Sequence, residues 1–230
     1  MLTVVAEFYR REVAHIKVTQ QVEIDRTVFE REMNEARLQV LQAQVEPHFL
    51  FNTLANVRRL YDQDHAAGRT MLENLMRYLE VALPRMRHNE STLERDTELI
   101  EAFLRIQQIR MGQRLAFSID MPEPLRAHHV PPTMLLTLVE NAIKHGLNPS
   151  PNGGLIRVMA RADGDRLVLT VADTGVGFAP GSGAGTGLAN VSAMLAAQFG
   201  DRASLALENN ELGGVTATIM LPLAGVAKAQ

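Results

Sequence analysis

RLVLTVADTGVGFAPGSGAGTGL, residues 166–188, runs from an alternating strand pattern through a glycine-rich loop into a helical pattern. Six of the thirteen residues from Gly175 to Gly187 are glycine. The bare N–H groups of such a loop, together with the N-terminus of the next helix, form a site for anions such as phosphate. No GK[ST] follows the glycines, which excludes a Walker A loop, and the intervening DxGxG excludes a dinucleotide-binding fingerprint. A flexible linker is the alternative, but linkers rarely lie between a strand and a helix inside one domain.

The rest of the second half mixes strand and helix patterns, which predicts an α+β domain. The helix Pro131–Gly146 begins with proline and ends with glycine, and Asp163–Gly164 turns a hairpin. We therefore expect a mixed sheet that is covered on one face by helices. The predicted strands are Leu115–Met121, Leu155–Ala162, Arg166–Ala172, Ala203–Glu208 and Val215–Leu221, and a further helix spans Gly187 to about Phe199.

Polar residues gather at the C-terminal turn of the helix Pro131–Gly146, where the sequence is ENAIKHG. A carboxylate, an amide, an ammonium and an imidazole together supply metal coordination, water polarisation and phosphate pairing. The alternative is a surface ion pair one helical turn apart, worth about 0.2–0.5 kcal/mol. The four residues are Glu140, Asn141, Lys144 and His145.

The first half begins with a long predicted helix, because the chain has neither proline nor glycine from about Glu7 to Gln44. Seven positions there follow alternating spacings of four and three, and six of the seven are apolar, as in a coiled coil. This pattern favours a parallel dimer, and a single amphipathic helix that lies on its own domain is the alternative. The positions are Val22, Arg26, Phe29, Met33, Ala36, Val40 and Ala43.

A helical hairpin is predicted to follow a break at Pro47. Apolar helical spacing resumes at Phe49 and continues to Leu60, and the polar stretch Asp62–Arg69 is predicted to connect it to a second helix over Thr70–Arg87. Two such hairpins in a dimer form a four-helix bundle.

A third helix is predicted over Leu93–Arg110, capped by Ser91 or Thr92. The domain boundary is predicted near Gly112, where the periodicity changes. The two predicted domains are therefore residues 1–112 and residues 113–230.

Composition narrows the class of protein. The chain of 230 residues has a formal net charge of −3 and no cysteine, which disfavours direct nucleic-acid binding and removes disulfides, iron–sulfur clusters and thiolate zinc sites. No stretch approaches the roughly 20 apolar residues that cross a bilayer. We expect a soluble chain, which could still be the cytoplasmic end of a longer membrane protein.

In chain order, ENxxKHG, DxGxG and GxGxGL resemble the N, G1 and G2 boxes of the GHKL ATPases, over about residues 113–222. The resemblance implies the α/β sandwich of that superfamily and the binding of ATP and Mg²⁺. It implies that Asn141 binds Mg²⁺, that Glu140 assists phosphoryl transfer and that Asp173 binds adenine. The other residues implied to bind ATP are Lys144, His145, Gly175, Gly177, Gly183, Gly185, Thr186, Gly187 and Leu188.

The segment LQAQVEPHFLFNTL, residues 41–54, is similar to the histidine box of the LytS/YehU sensor kinases. This resemblance implies that ATP phosphorylates His48 and that the phosphoryl group passes to a response regulator, of the LytTR type. It also implies a homodimer at the cytoplasmic face of the inner membrane, with a membrane sensor upstream. From the residues alone, Pro47 kinks the helix and presents His48. The alternatives are a histidine satisfied by Asn52 within the bundle, or Pro47 in the first turn of a new helix.

Two positions depart from the family patterns. The last strand of the family usually begins Gly-Thr, and here it begins Gly214-Val215-Thr216. If the family threonine supports the adenine-binding aspartate, Val215 cannot do so, and it is open whether Thr216 takes its place beside Asp173. Phe49, not a carboxylate, follows His48, and no general base can be assigned. A dimeric nucleotide-sensing module without phosphotransfer is therefore a second hypothesis. A third, a substrate-clamping GHKL ATPase, requires a larger domain after the ATP site and is disfavoured.

Overall fold

The computed structural model describes residues 17, 20–37, 47–82, 91–177 and 186–223, with the backbone alone at positions 47, 48 and 186. By packing, the chain divides into two compact units, Met1–Leu79 and Glu80–Gln230. Within the described ranges, no helix is long and apolar enough to span a membrane.

In the described part of the first unit there are three helices: α1 (residues 20–37), α2 (Pro47–Gln63) and the greater part of α3 (His65–Ala82). Its core is apolar and includes Leu50 and Val57 of α2 with Leu72 and Leu75 of α3. The ring of Phe49 meets that of Tyr78 edge-on, with 5.6 Å between the centroids. The predicted helical hairpin is therefore present.

Three of the seven predicted coiled-coil positions are buried within the chain itself. Phe29, Met33 and Ala36 are buried, and the Phe29 ring stacks on Tyr61 of α2 at a centroid distance of 3.5 Å. Val22 is 59% exposed. Val40 and Ala43 lie outside the described residues. From Phe29 to Ala36, α1 thus has the alternative arrangement, an amphipathic helix packed on its own domain.

The connection between α2 and α3 is shorter than predicted. Only Asp64 separates the two helices, and its side-chain oxygen accepts hydrogen bonds from the N–H groups of Ala66 and Ala67, at 2.9 and 3.1 Å. Asp64 thereby caps α3, which begins five residues earlier than expected. The predicted connection over Asp62–Arg69 is wrong because one capping aspartate suffices to reverse the chain.

The second unit contains a five-stranded sheet with strand order β2-β4-β5-β7-β6. β2 is parallel to β4, and the other pairs are antiparallel. Gly164, with φ of 61°, turns the β4–β5 hairpin as predicted. The strands are β2 (Leu115–Asp120), β4 (Gly154–Asp163), β5 (Arg166–Asp173), β6 (Ser204–Asn209) and β7 (Val215–Pro222).

Helices cover one face of this sheet, since buried and less buried residues alternate along β4 and β7. The helices are α4 (Leu93–Met111), which Thr92 caps, the short α5 (Glu123–Arg126), α6 (Met134–Asn141) and α7 (Thr186–Phe199). A small second sheet pairs β1 (Ser91–Thr92) with β3 (His129–Val130). The predicted α+β fold class is confirmed.

The division between units differs from the boundary predicted at Gly112. Helix α4 contacts β2 and α6, and Phe103 and Leu104 are among its buried side chains. By packing, α4 belongs to the sheet unit, although the change of sequence periodicity comes after it. The functional boundary near Gly112 stays a prediction.

Candidate functional site

The candidate site lies where β5 ends, because three segments of the second unit meet there. Asp173, the last residue of β5, pairs in register with Ile156 of β4. The loop after it turns back to the end of α6, where the N–H of Val176 donates to the carbonyl oxygen of Gly146 at 3.2 Å. The hydroxyl oxygen of Thr174 accepts from the N–H of Leu155 at 2.9 Å. The DxGxG segment is thus fixed at both of its flanks.

Glycines allow these backbones to touch. A Cβ atom on Gly175 would lie 2.2 Å from the carbonyl carbon of Gly146, and one on Gly214 would lie 2.1 Å from the carbonyl oxygen of Asp173. No side chain fits at either position. These glycines thereby let β5, the segment after α6 and the start of β7 converge on one carboxylate.

Asp173 is the buried charge of this site, with 3% of its surface exposed. Burial raises the pKa of its carboxyl group, and hydrogen bonds from the N–H groups of Gly175 and Val215 offset part of that rise. The bond from Gly175 is 2.8 Å long. A buried carboxylate with few donors has capacity left to accept from a ligand.

Helix α6 ends in a π-helical turn, Ala142–Leu147, where the sequence predicted a regular helix to Gly146. π-Turns are rare and recur at functional sites. Lys144 and His145 lie on this turn and are exposed. Glu140 is partly exposed on the last turn of α6. An imidazole, a carboxylate and an ammonium group therefore lie at one helix end.

Asn141 lies one residue before the π-turn and orients its amide. Its Nδ2 atom donates to the carbonyl oxygen of Thr137 at 2.7 Å, which reserves the amide oxygen as an acceptor or ligand. The α7 N-terminus lies beside this group, because a Cβ atom on Gly187 would be 3.7 Å from Nδ2 of Asn141. The ENxxKHG and GxGxGL segments therefore meet at this point.

The remaining predicted site residues belong to the glycine-rich loop and α7. Gly183 and Gly185 lie outside the described residues. Thr186 is the first residue of α7, and Leu188 is buried on that helix. Gly177 has φ of 72°, a left-handed conformation that favours glycine.

The structure answers the question raised by Val215. The backbone N–H of Val215 lies near enough to the carboxylate of Asp173 to lower its pKa. The Thr216 hydroxyl lies 3.4 Å from Nδ2 of Asn210, which donates to the carbonyl oxygen of Asp173 at 2.8 Å. Thr216 is therefore linked to Asp173 through Asn210. Asn210 lies between the predicted strands Ala203–Glu208 and Val215–Leu221 and was not among the predicted site residues; the glycine pair Gly213–Gly214 is the sequence signal of a close approach there.

His48 lies in the first turn of α2. Its neighbours Phe49 and Leu50 are buried, while Phe51 and Asn52 are exposed. The helix begins at Pro47, so that the missing N–H of proline falls where helical N–H groups have no intrahelical partner.

Two family models match consecutive parts of the chain. Residues 36–115 match the histidine kinase family, and residues 132–225 match the family described as histidine kinase-, DNA gyrase B- and HSP90-like ATPases. The first match contains His48, and the second contains the α6 end, Asp173 and α7. The ATPase match implies ATP binding by the second unit.

Curated relatives match across both segments. Sensor protein LytS of Staphylococcus haemolyticus is 30% identical over 194 residues, which cover 79% of this chain and 33% of the relative. Sensor histidine kinase BtsS of Escherichia coli is 31% identical over 170 residues, covering 74% of this chain and 30% of the relative. The chain thus spans about a third of the length of the relatives it matches.

Among solved structures, the histidine kinase domain of a blue-light activated kinase from Erythrobacter litoralis superposes with a TM-score of 0.48 and 15% identity. The match covers 86% of this chain and 96% of that one. The fold assignment rests on the strand order and register above.

Proposed function

Because this chain belongs to the histidine kinase family, with an ATPase-family domain after its histidine segment, we propose that it transfers the γ-phosphoryl group of ATP to His48. The phosphoryl group then passes to an aspartate of a response regulator. One combination supports this proposal. His48 directly follows the proline that begins α2, and the same chain contains the buried carboxylate of Asp173, with glycines beside it where backbones approach closely.

We propose that separate groups of the nucleotide site bind the adenine and the phosphates of ATP. The ionised carboxylate of Asp173 accepts a hydrogen bond from the 6-amino group of adenine. Lys144, His145 and the backbone N–H groups at the start of α7 neutralise phosphate oxygens. Glu140 polarises the attacking group.

Mg²⁺ fits the donors that are present. The amide oxygen of Asn141 is the hard ligand that this ion prefers, since the nitrogen is committed to Thr137. No group of three acidic, histidine or cysteine side chains among the described residues could hold a metal alone. An ion at Asn141 would complete its shell with phosphate oxygens and water, and would neutralise developing charge.

Transfer begins at the ring nitrogen of His48 that has no proton. That nitrogen attacks the γ-phosphorus, the bond from the γ-phosphorus to the β,γ-bridging oxygen breaks, and ADP leaves. The other ring nitrogen then releases its proton to solvent. An imidazole with a pKa of about 6.5 is largely neutral, and hence nucleophilic, at pH 7.

Incubation with γ-labelled ATP tests the proposal. We expect a phosphoprotein whose label is stable to base and labile to acid, and its loss in His48→Gln. His65→Gln is the matched control, because His65 is an exposed histidine on the same hairpin. It should incorporate label as the unchanged chain does.

Two results would contradict the proposal. Label that persists in His48→Gln would place the phosphoacceptor elsewhere. Tight ATP binding without phosphoprotein, even with a response regulator present, would favour the nucleotide-sensing module.

The proposed assembly is a homodimer, in which hairpins form a four-helix bundle. Exposed apolar side chains support it: Val22, Ile24 and Val28 on α1, and Phe51 on α2. The names of the relatives, sensor proteins, and their greater length support a membrane sensor upstream, with the kinase on the cytoplasmic side. We propose a response regulator of the LytTR type as the phosphoryl acceptor.

A further inference from the structure

The loop between β6 and β7 is organised around one side chain, that of Asn210. Its Oδ1 atom accepts from the N–H groups of Leu212 and Gly214, at 3.0 and 3.1 Å. Its own backbone N–H donates to the carbonyl oxygen of Gly214 at 2.9 Å. The amide oxygen of Asn210 therefore sets the shape of the loop that leads into β7.

The other end of the same amide leaves the loop. Nδ2 donates to the carbonyl oxygen of Asp173 at 2.8 Å and lies 3.4 Å from the hydroxyl of Thr216. Both amide hydrogens thus have acceptors on neighbouring strands, one at the end of β5 and one near the start of β7. The side chain thus links the start of β7 to the end of β5, which lies 37 positions before Asn210 in the chain.

The backbone that Asn210 links lies close to the carboxylate of Asp173. The Gly214 backbone approaches Asp173 so closely that a Cβ atom on Gly214 would be 2.6 Å from Oδ1. Asn210 thus holds the backbone of Gly214 through Oδ1 and the main-chain carbonyl of Asp173 through Nδ2, and so links the two segments beside this carboxylate.

We propose that Asn210 is a positioning residue for adenine recognition: it holds the Asp173 carboxylate so that one oxygen faces the 6-amino group of the base. This inference rests on the proposed function, in which Asp173 accepts from that amino group. Asn210 itself does not touch the nucleotide.

Asn210→Asp is the sharpest test. It keeps the oxygen that accepts from Leu212 and Gly214 and replaces the donor to Asp173 with a second acceptor, which repels the carbonyl oxygen. Asn210→Ala removes the donor without adding a charge and serves as the second variant. Leu212→Asp is the matched control, because it adds a carboxylate to the same loop at an exposed side chain and leaves the amide in place.

The measurement is a ratio of dissociation constants, for purine riboside 5′-triphosphate over ATP, by calorimetry on folded full-length protein. The analogue lacks only the 6-amino group. The unchanged chain should prefer ATP by about ten-fold or more, the scale of one charge-assisted hydrogen bond. In both Asn210 variants the preference should fall to about two-fold or less, and Leu212→Asp should keep it.

The outcomes separate this inference from its premise. A full preference for ATP in the Asn210 variants, or equal weakening of both nucleotides, would overturn the positioning role. No ATP binding by the unchanged chain would overturn the proposed function, and ATP binding without preference would overturn the role of Asp173.

Discussion

The carboxylate of Asp173 is costly to the nucleotide-free protein, because it is ionisable and buried. Burial raises the pKa of Asp173, so that the folded domain binds the proton more tightly than the unfolded chain does. A raised pKa adds to the free energy of unfolding below the unfolded-state pKa, and this contribution is lost as the pH rises through the folded-state pKa. At neutral pH the nucleotide-free domain therefore bears a charge that its interior disfavours.

Asp173→Asn should reveal this cost. The substitution also changes a hydrogen bond, but that change alters the free energy of unfolding equally at every pH. Only the titration of Asp173 makes the difference between the two proteins depend on pH. Relative to the variant, the unchanged protein should gain stability as the pH falls from 7 towards about 4, which is the unfolded-state pKa of aspartate. Urea unfolding without nucleotide at several pH values measures the difference.

ATP affinity should move in the opposite direction. Protonation of Asp173 removes its charge, so the affinity of the unchanged protein for ATP falls over the same pH interval. At neutral pH, Asp173→Asn should bind ATP about ten-fold or more weakly than the unchanged protein.

The stability measurement has its own contradicting outcome. A difference in the free energy of unfolding between the two proteins that does not vary with pH would contradict the raised pKa.

At the scale of elements, the α2–α3 hairpin depends on one glycine inside a helix. Gly68 is buried on α3, and a Cβ atom there would lie 2.5 Å from the Cα and N atoms of Tyr61 on α2. The two helices cross with their backbones in contact at this position. The Tyr61 ring stacks on Phe29 and meets the His65 ring edge-on, so the crossing also positions the residues that hold α1.

Gly68→Ala should therefore destabilise the hairpin. In an exposed helix interior, glycine to alanine stabilises by about 1 kcal/mol, and here we expect the opposite sign, because backbone atoms cannot yield to the new methyl group. Urea unfolding, followed by the helical circular dichroism signal, measures the change. A gain in stability would show that α2 and α3 do not touch at Gly68.

Gly68 also shows how far local patterns reach. A glycine in a polar stretch predicts a loop, and the sequence analysis placed it there; its reason for being glycine is a contact between two helices. Strands such as β4 and β5 were predictable, since alternation and the Asp163–Gly164 turn are local signals. Two-residue strands such as β1 have no periodicity to detect.

The residues of the candidate site also differ in whether local sequence patterns predict them. Asp173 and the glycines around it were recognisable from their spacing in the sequence. Asn210 was not, because its hydrogen bond to Asp173 joins residues 37 positions apart and depends on the strand order of the sheet. The π-helical turn after Asn141 likewise lies against β5, a long-range contact that local sequence patterns do not encode.

At the scale of the whole molecule, two boundaries compete for the start of the ATP-binding unit. Packing places it at Glu80, and sequence periodicity places it at Gly112. They differ by α4, whose buried side chains lie against β2 and α6. The buried apolar side chains of α4 include Leu93, Leu99, Ile100, Phe103, Leu104 and Ile106.

Two truncated chains distinguish these boundaries. Residues 80–230 retain α4 and its Thr92 cap, so they should unfold in one cooperative transition and bind ATP as tightly as the full chain. Residues 113–230 lose the partner of β2 and α6. Each buried apolar side chain contributes about 1.5–3 kcal/mol, and a domain has only about 5–15 kcal/mol in total, so this chain should show neither a cooperative urea transition nor tight ATP binding. Equal stability and affinity of the two chains would instead assign α4 to the hairpin, as the periodicity suggested.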